Sequence, residues 1–278
     1  MKVFVLLLFL TISYSYAESS YSAVTWNIRF KNSKDSLNGN AWEKRLPHIQ
    51  EFLKFKKFDI IALQEPDSTQ INDLEISLAD YQFVKYDSLI EHPILLKKDF
   101  KILDKGVFWL SATPSTKGKS WDSGQIRFCN WVKIETDIDE LFIFNVHFDN
   151  KGKLARENSA RLLLKEIPKI TNTSNFIILG DFNLSRKELA YQILTKKNIF
   201  INTEEIAQKK YQSNGSYNYF DPNKKSPWIM DYIFIPQTLI VSEYEIFQPI
   251  YHDGKQWRFP SDHNPIGIKF SFTKKISK

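Results

Sequence analysis

Apolar and polar positions recur along this chain in blocks of strand and helix length. Residues 21–30 (YSAVTWNIRF) are rich in β-branched and aromatic side chains and predict a strand. Apolar residues then recur at spacings of three and four through AWEKRLPHIQEFLKF, which predicts a helix with Asn40 as its N-cap. A nearly continuous apolar run at 58–63 (FDIIAL) predicts a short buried strand that stops at Gln64-Glu65-Pro66, and residues 67–79 return to helical spacing. Short strands are expected near 81–86 and 92–96, followed by a meander over 106–110, 125–134 and 141–148. The remaining pattern gives a helix over 155–170, a buried strand over 175–179, a helix over 186–194, and strands over 228–235 and 266–272. Strands and helices mix without strict βαβ alternation, which predicts sheets with helices packed outside them.

Polar residues interrupt this pattern at particular places. In NFIILGDFNLS (175–185) a buried strand runs into Gly180, Asp181 and Asn183. Gly, Asp and Asn are turn formers, so one such exit has an ordinary explanation. The exit is repeated elsewhere, however. Asn27 interrupts AVTWNIRF, Glu65 follows FDIIALQ, His147 sits in LFIFNVHFD, Asp231 in WIMDYIFI, and Asp262-His263 precede PIGIKF. Asn, Glu, His and Asp at so many strand ends point to one polar site assembled where strands converge.

Composition narrows the setting. Lys2, the apolar run 3–10 and Ser15-Tyr16-Ala17 have the pattern of a secretory signal cleaved after Ala17, too short to span a bilayer. Residues 18–278 are then expected to form one domain in a secreted or periplasmic protein. No later stretch reaches the roughly 20 apolar residues of a membrane helix, and 42% hydrophobic content excludes a disordered chain. A single cysteine, Cys129, excludes an internal disulfide and lies in an alternating strand pattern as a small buried hydrophobe. The net charge of +6 suits an anionic partner, nucleic acid or phospholipid head groups included, although the lysines are scattered. A monomer without a stable protein partner is expected. The sequons at Asn172, Asn183 and Asn214 are read as chance, Asn183 because a glycan there would block the site.

The chemistry these residues suggest is metal-assisted phosphoester hydrolysis. Glu and Asp are hard oxygen ligands suited to Mg²⁺, with Mn²⁺ as a substitute, and such an ion polarises a phosphoryl oxygen. An Asp–Asn pair can orient and deprotonate water, and histidines can stabilise charge developing on phosphoryl oxygens. Zinc is disfavoured because no Cys/His cluster at ligand spacing is present.

The ordered set TWNIRF, LQEP, NVHFD, GDFN, MDYIF and SDHNP resembles the endonuclease/exonuclease/phosphatase superfamily from about Ser22 to Phe272. That resemblance implies an α/β fold like pancreatic deoxyribonuclease: a four-layer sandwich of two packed mixed β-sheets flanked by helices. It implies Glu65 as principal metal ligand with Asn27 and Asp262 in the same network. Asp181 would activate water, Asn183 would position the phosphate, and His147 and His263 would stabilise it, with Asp231 orienting His263. The segment VFWLSATPSTKGKSWDSGQIRFCNW, with Trp121, Asp122 and Arg127, and NAWEKR, with Trp42 and Arg45, are similar to a bacterial subgroup. Arg127 and Trp121 are expected at the substrate, since a guanidinium fork suits phosphate. The expected function is a secreted Mg²⁺-dependent phosphoesterase acting on nucleic acid or a small phosphorylated compound. A phospholipid or phosphoinositide phosphodiesterase or phosphatase, and a binding protein that has lost catalysis, stay open beside it. The aromatic cluster at Tyr217-Asn218-Tyr219-Phe220 and Trp228 is expected to pack on the core.

Overall fold

A computed structural model describes residues 19–86, 89–171 and 173–273. The expected signal segment 1–17 and Asn172 lie outside the described residues. In chain order the elements are β1 (Tyr21–Asn27), α1 (Ser33–Leu37), α2 (Trp42–Lys56), β2 (Ile60–Gln64), α3 (Ser68–Ser77), β3 (Tyr81–Tyr86), β4 (Leu89–Lys97) and β5 (Lys101–Trp109). There follow β6 (Phe128–Glu135), β7 (Glu140–His147), α4 (Lys153–Ile170), β8 (Phe176–Asp181), α5 (Leu189–Thr195), β9 (Ile201–Asn202), α6 (Thr203–Ile206) and β10 (Lys209–Tyr211). The chain closes with β11 (Asp231–Ile235), β12 (Leu239–Ile246), β13 (Tyr251–His252), β14 (Trp257–Arg258) and β15 (Ile266–Phe272).

Two mixed sheets face each other, one of seven strands in the order β10-β12-β15-β1-β2-β4-β3 and one of six in the order β5-β6-β7-β8-β11-β9. Period-2 alternation divides each strand between two cores. Ala23, Ile60, Ile143, Ile177, Leu179 and Ile233 point between the sheets. Their neighbours face outward: Val24, Trp26 and Ile61 meet α2 and α3, whereas Phe144, Ile178 and Phe234 meet α4 and α5. The result is the expected four-layer sandwich, helices outside two sheets.

Several boundaries differ from the sequence expectation. β8 continues through Gly180 to Asp181 because both residues stay in register with β7 and β11. Gly180 takes φ +156, and a Cβ there would lie 2.0 Å from the Val146 carbonyl oxygen. Residues 228–230 precede β11 rather than belonging to it, and β12 was not expected although LIVSEYEI alternates. Ala41, not Asn40, is the N-cap of α2.

Candidate active site

The inward rows of the inter-sheet core change from apolar to polar as the strands reach one rim. On β1 the row Tyr21, Ala23 continues as Thr25 and Asn27; on β7 the row Leu141, Ile143 continues as Asn145 and His147. The β8 row reaches Asp181 and the β11 row begins at Asp231. Register aligns them: His147 lies opposite Asp181 on parallel β7–β8, and Asp231 lies opposite the same residue on antiparallel β8–β11. Three candidate site residues therefore stand side by side on the face turned to the other sheet. Behind them Asn145 donates to the Leu63 and Pro93 carbonyls at 2.8 and 3.0 Å, and Gln64 donates to Asn145 at 2.8 Å, which ties the two sheets together under the rim.

Asn27 crosses between the sheets. Its amide donates to Glu65 Oε1 and to Asp181 Oδ2, both at 3.0 Å. Asp181 Oδ1 accepts the Asn183 backbone N–H at 2.9 Å, and the Asn183 side chain donates to the Phe148 carbonyl at 3.0 Å. His263 Nδ1 lies 2.9 Å from Asp231 Oδ2, and its Nε2 faces Asp181 at 3.8 Å. Burial, then repulsion from Asp231, pushes Asp181 up to about 7. Burial works against charge on His263, but Asp231, Asp181 and Asp262 outweigh it and hold the imidazolium well above its ordinary pKa.

On the other flank Arg127 Nη1 lies 3.0 Å from His147 Nδ1. A guanidinium nitrogen only donates, so Nδ1 accepts and the neutral ring carries its proton on Nε2, 3.4 Å from Asp181 Oδ2. Burial, then Arg127, keeps the His147 pKa well below its ordinary value, so this imidazole stays neutral. Arg127 is buried too, 4.0 Å from Asp149. Asp149 accepts from Ser123, Gly124, Gln125, Lys151 and Gly152 and so fixes the loop leading into Arg127. Asp122 accepts the Leu154 and Ala155 N–H groups and so holds the first turn of α4. Trp121 stands apart from the polar cluster, 37% exposed in the loop between β5 and β6.

Asn27, Glu65, His147, Asp181, Asn183, Asp231, His263 and Arg127 are thus joined in one hydrogen-bonded and ionic network. Asp262 enters through Arg29, whose Nη1 lies 3.9 Å from its Oδ2. Sequence reasoning missed Arg29 as a site residue, although it stands two places after Asn27 inside the quoted TWNIRF; it also pairs with Asp35 at 2.8 Å. Asp149 was equally legible in the turn sequence Asp149-Asn150-Lys151-Gly152. Arg45, matched by resemblance alone, is fully buried and donates to the carbonyls of Ile28, Arg29, Asn40 and Pro260, so it braces the site from below.

The donor set fits a hard divalent cation. Among the described residues the Glu65 carboxylate accepts from Asn27 and, at 3.4 Å, from the Phe30 N–H, which leaves lone pairs for a cation. Burial raises the pKa of Asp262, and the Glu65 charge adds to that, a repulsion a cation would relieve. Asp181, Asp231 and His263 also bring ligand atoms within 4.8 Å of one another, but there the His263–Asp231 hydrogen bond occupies two of them. A cleft of about 550 Å³ opens over this floor, with Arg29 and Arg127 among its lining residues beside Glu65, Glu91 and Asp67.

A four-layer sandwich with carboxylates, amides and histidines converging on one rim defines a phosphoric ester hydrolase. The chain belongs to the Endonuclease/Exonuclease/phosphatase family, whose sequence model matches residues 24–263. It is similar to a family protein of Bacteroides thetaiotaomicron (30% identity, TM-score 0.89, 93% of this chain and all of that one). It is also similar to the mannosyl-6-phosphatase of Bacteroides thetaiotaomicron VPI-5482 (31% identity, TM-score 0.87, 91% of this chain and all of that one). A third relative is an uncharacterised protein of Acanthamoeba polyphaga mimivirus, 27% identical over 82% of this chain and 92% of its own length.

Proposed function

We propose that this chain is a Mg²⁺-dependent phosphatase of small sugar phosphates, working outside the cytoplasm after removal of residues 1–17. The observation carrying this reading is the make-up of the cleft. Two arginines sit above the Glu65 floor, but Asp67 and Glu91 share the walls with the amides of Gln125 and Asn150. Carboxylates and amides pair well with sugar hydroxyls. They repel the successive phosphates of a nucleic acid, whose binding draws mainly on Lys and Arg contacts to the backbone. The likeness to a mannosyl-6-phosphatase supports the same class.

Glu65, Asn27 and Asp262 would hold the cation, which when bound polarises a phosphoryl oxygen and stabilises the leaving oxyanion. Asp181, raised to about 7 and oriented by Asn27 and the Asn183 N–H, accepts the proton of the attacking water. The Nε2–H of His147 and the charged ring of His263 donate toward oxygens that gain charge in the transition state. Asp231 keeps His263 protonated and aimed, and Arg127 holds His147 in the donating tautomer.

The test is product release by the mature protein, read as phosphate from mannose 6-phosphate, other sugar phosphates and phosphoinositides, as nucleotides or shortened strands from DNA and RNA, and as phosphocholine from sphingomyelin, with Mg²⁺, Mn²⁺ or EDTA. Glu65→Ala and His263→Ala serve as controls. Metal-dependent release from sugar phosphates, abolished in both variants, is expected. Faster cleavage of DNA or a phospholipid than of any sugar phosphate would overturn the substrate assignment. No turnover of anything by the folded protein would favour a binding role.

A further inference from the structure

The cluster 217–220 and Trp228 were expected to pack on the core, but Tyr219 is 40% exposed and Trp228 48% exposed. The backbone of this segment is fastened to the residues leading into β15: Tyr217 bridges His263, the Asn264 N–H donates to the Ser216 carbonyl, and the Asn218 N–H donates to the Asp262 carbonyl at 2.7 Å. Asn218 is fully buried; its side chain donates to Asn264 and accepts the Phe220 N–H at 2.8 Å. The Tyr217 ring stands 4.9 Å from the His263 ring, and its phenol lies in the field of Asp262, Arg29 and Glu65. Tyr219 stands edge-on to Tyr217 at 4.2 Å, with the Lys224 ammonium 4.2 Å from its ring centre.

Tyr219 and Phe220 both adopt φ +59. Such conformations are costly for bulky side chains, of the order of 1–3 kcal/mol each, and persist where the surroundings over-determine them. Glycine or asparagine would take either position more easily. Phe220 uses its conformation to lie against the buried Arg45, 5.8 Å from its guanidinium. Tyr219 has no such inward partner. Its conformation turns the ring outward, next to Tyr217, whose own ring meets His263.

We infer that Tyr219, backed by Tyr217, is a specificity-determining wall that stacks on the apolar face of the substrate's sugar ring while the phosphate sits on the His263 side. The inference deepens the proposed function and rests on it. The hydrogen bonds of Asn218 hold Tyr219 in its strained conformation, and the exposed ring stands on the Tyr217 side of His263. Lys224, held over the same ring, adds a donor for ring hydroxyls.

The experiment compares kcat/KM for mannose 6-phosphate and for acyclic glycerol 1-phosphate in the wild type, Tyr219→Ala, Tyr219→Phe and Tyr219→Gly. Stacking on an aromatic face supports a fall in the cyclic-to-acyclic ratio of about fivefold in Tyr219→Ala, borne by KM, with the ratio restored in Tyr219→Phe. Tyr219→Gly should lose the same ratio without lowering Tm, because it relieves the left-handed backbone. An unchanged ratio in Tyr219→Ala, or a Tyr219→Gly protein that melts several degrees lower, would overturn the wall and leave the phosphatase reading standing. A wild type that hydrolyses neither ester would remove the reading itself, and the wall with it.

Discussion

Replacing Asp149 by Asn tests whether a buried carboxylate organises the Arg127 flank. The side chain takes five donors: Ser123 Oγ and the N–H groups of Gly124 and Gln125 on Oδ2, and those of Lys151 and Gly152 on Oδ1, between 2.7 and 3.1 Å. An asparagine keeps one acceptor oxygen and turns an NH₂ toward the other set. At least two backbone N–H groups lose their partner, and each bond to a charged acceptor is worth about 1.5–3 kcal/mol. A second route gives a similar size. Burial alone would raise the Asp149 pKa, yet four backbone N–H donors outweigh it and bring the carboxyl from 3.8 down to about 2. At about 1.36 kcal/mol per tenfold change in proton affinity, that is of the order of 2 kcal/mol from the ionised form. The folded value lies below the unfolded one, so this stability is fully present above about pH 4 and lost as pH falls toward 2. Urea unfolding at neutral pH should show Asp149→Asn less stable by about 3 kcal/mol, a midpoint shift of the order of 1 M. The gap should narrow between pH 4 and 2.5. Equal midpoints at pH 7, or a gap that keeps its full size in acid, would refute this account.

Other substitutions test other parts of the frame. Gly180→Ala puts a Cβ 2.0 Å from the Val146 carbonyl oxygen at φ +156, so the strand must shift and carry Asp181 with it. A loss of about 3 kcal/mol or more by calorimetry is expected, with activity falling further than the folded fraction. Arg45→Met strips donors from four backbone carbonyls and should cost about 3 kcal/mol or more, read as a lower urea midpoint. Asp231→Asn keeps a hydrogen bond to His263 but removes the charge that holds its proton. It should lower kcat about 100-fold with the circular dichroism spectrum unchanged, and a kcat within threefold of wild type would show that His263 works uncharged.

Sheets with helices outside them were legible because strand and helix periods are strong in this chain; the four-layer arrangement came from the resemblance carried by the ordered motifs, and the site was legible because the polar interruptions fall in one phase of the strand alternation. Asn27, His147, Asp181 and Asp231 are all inward residues, so a sequence reading that noticed them had already found the open end of the inter-sheet core. Arg45 escaped assignment to a role because its partners are backbone carbonyls, which no side-chain pattern announces, and for Asp149 four of the five donors are likewise backbone N–H groups. Tyr219 was misplaced for a different reason. Aromatic content predicts burial on average, whereas its exposure depends on a backbone conformation that propensity assigns to glycine.

That conformation recurs around the site. Arg29 (φ 58), Glu65 (φ 69) and Asn183 (φ 50) are left-handed, each one or two residues beyond the end of β1, β2 or β8. A strand delivers its inward row in a fixed direction, perpendicular to the sheet. A residue just past the last pair escapes the alternation, and a left-handed turn there can swing a side chain back over the rim. Glu65 follows inward Gln64 and would otherwise face the helices; its positive φ, with its N–H on the Glu91 carbonyl, brings the carboxylate to Asn27 instead. Asn183 in the same way returns its backbone N–H to Asp181. The site therefore combines two kinds of residue. Those held by strand register set the distances among His147, Asp181 and Asp231; those beyond the strands close over them, at a conformational cost that only a paired, buried frame on both sides can sustain.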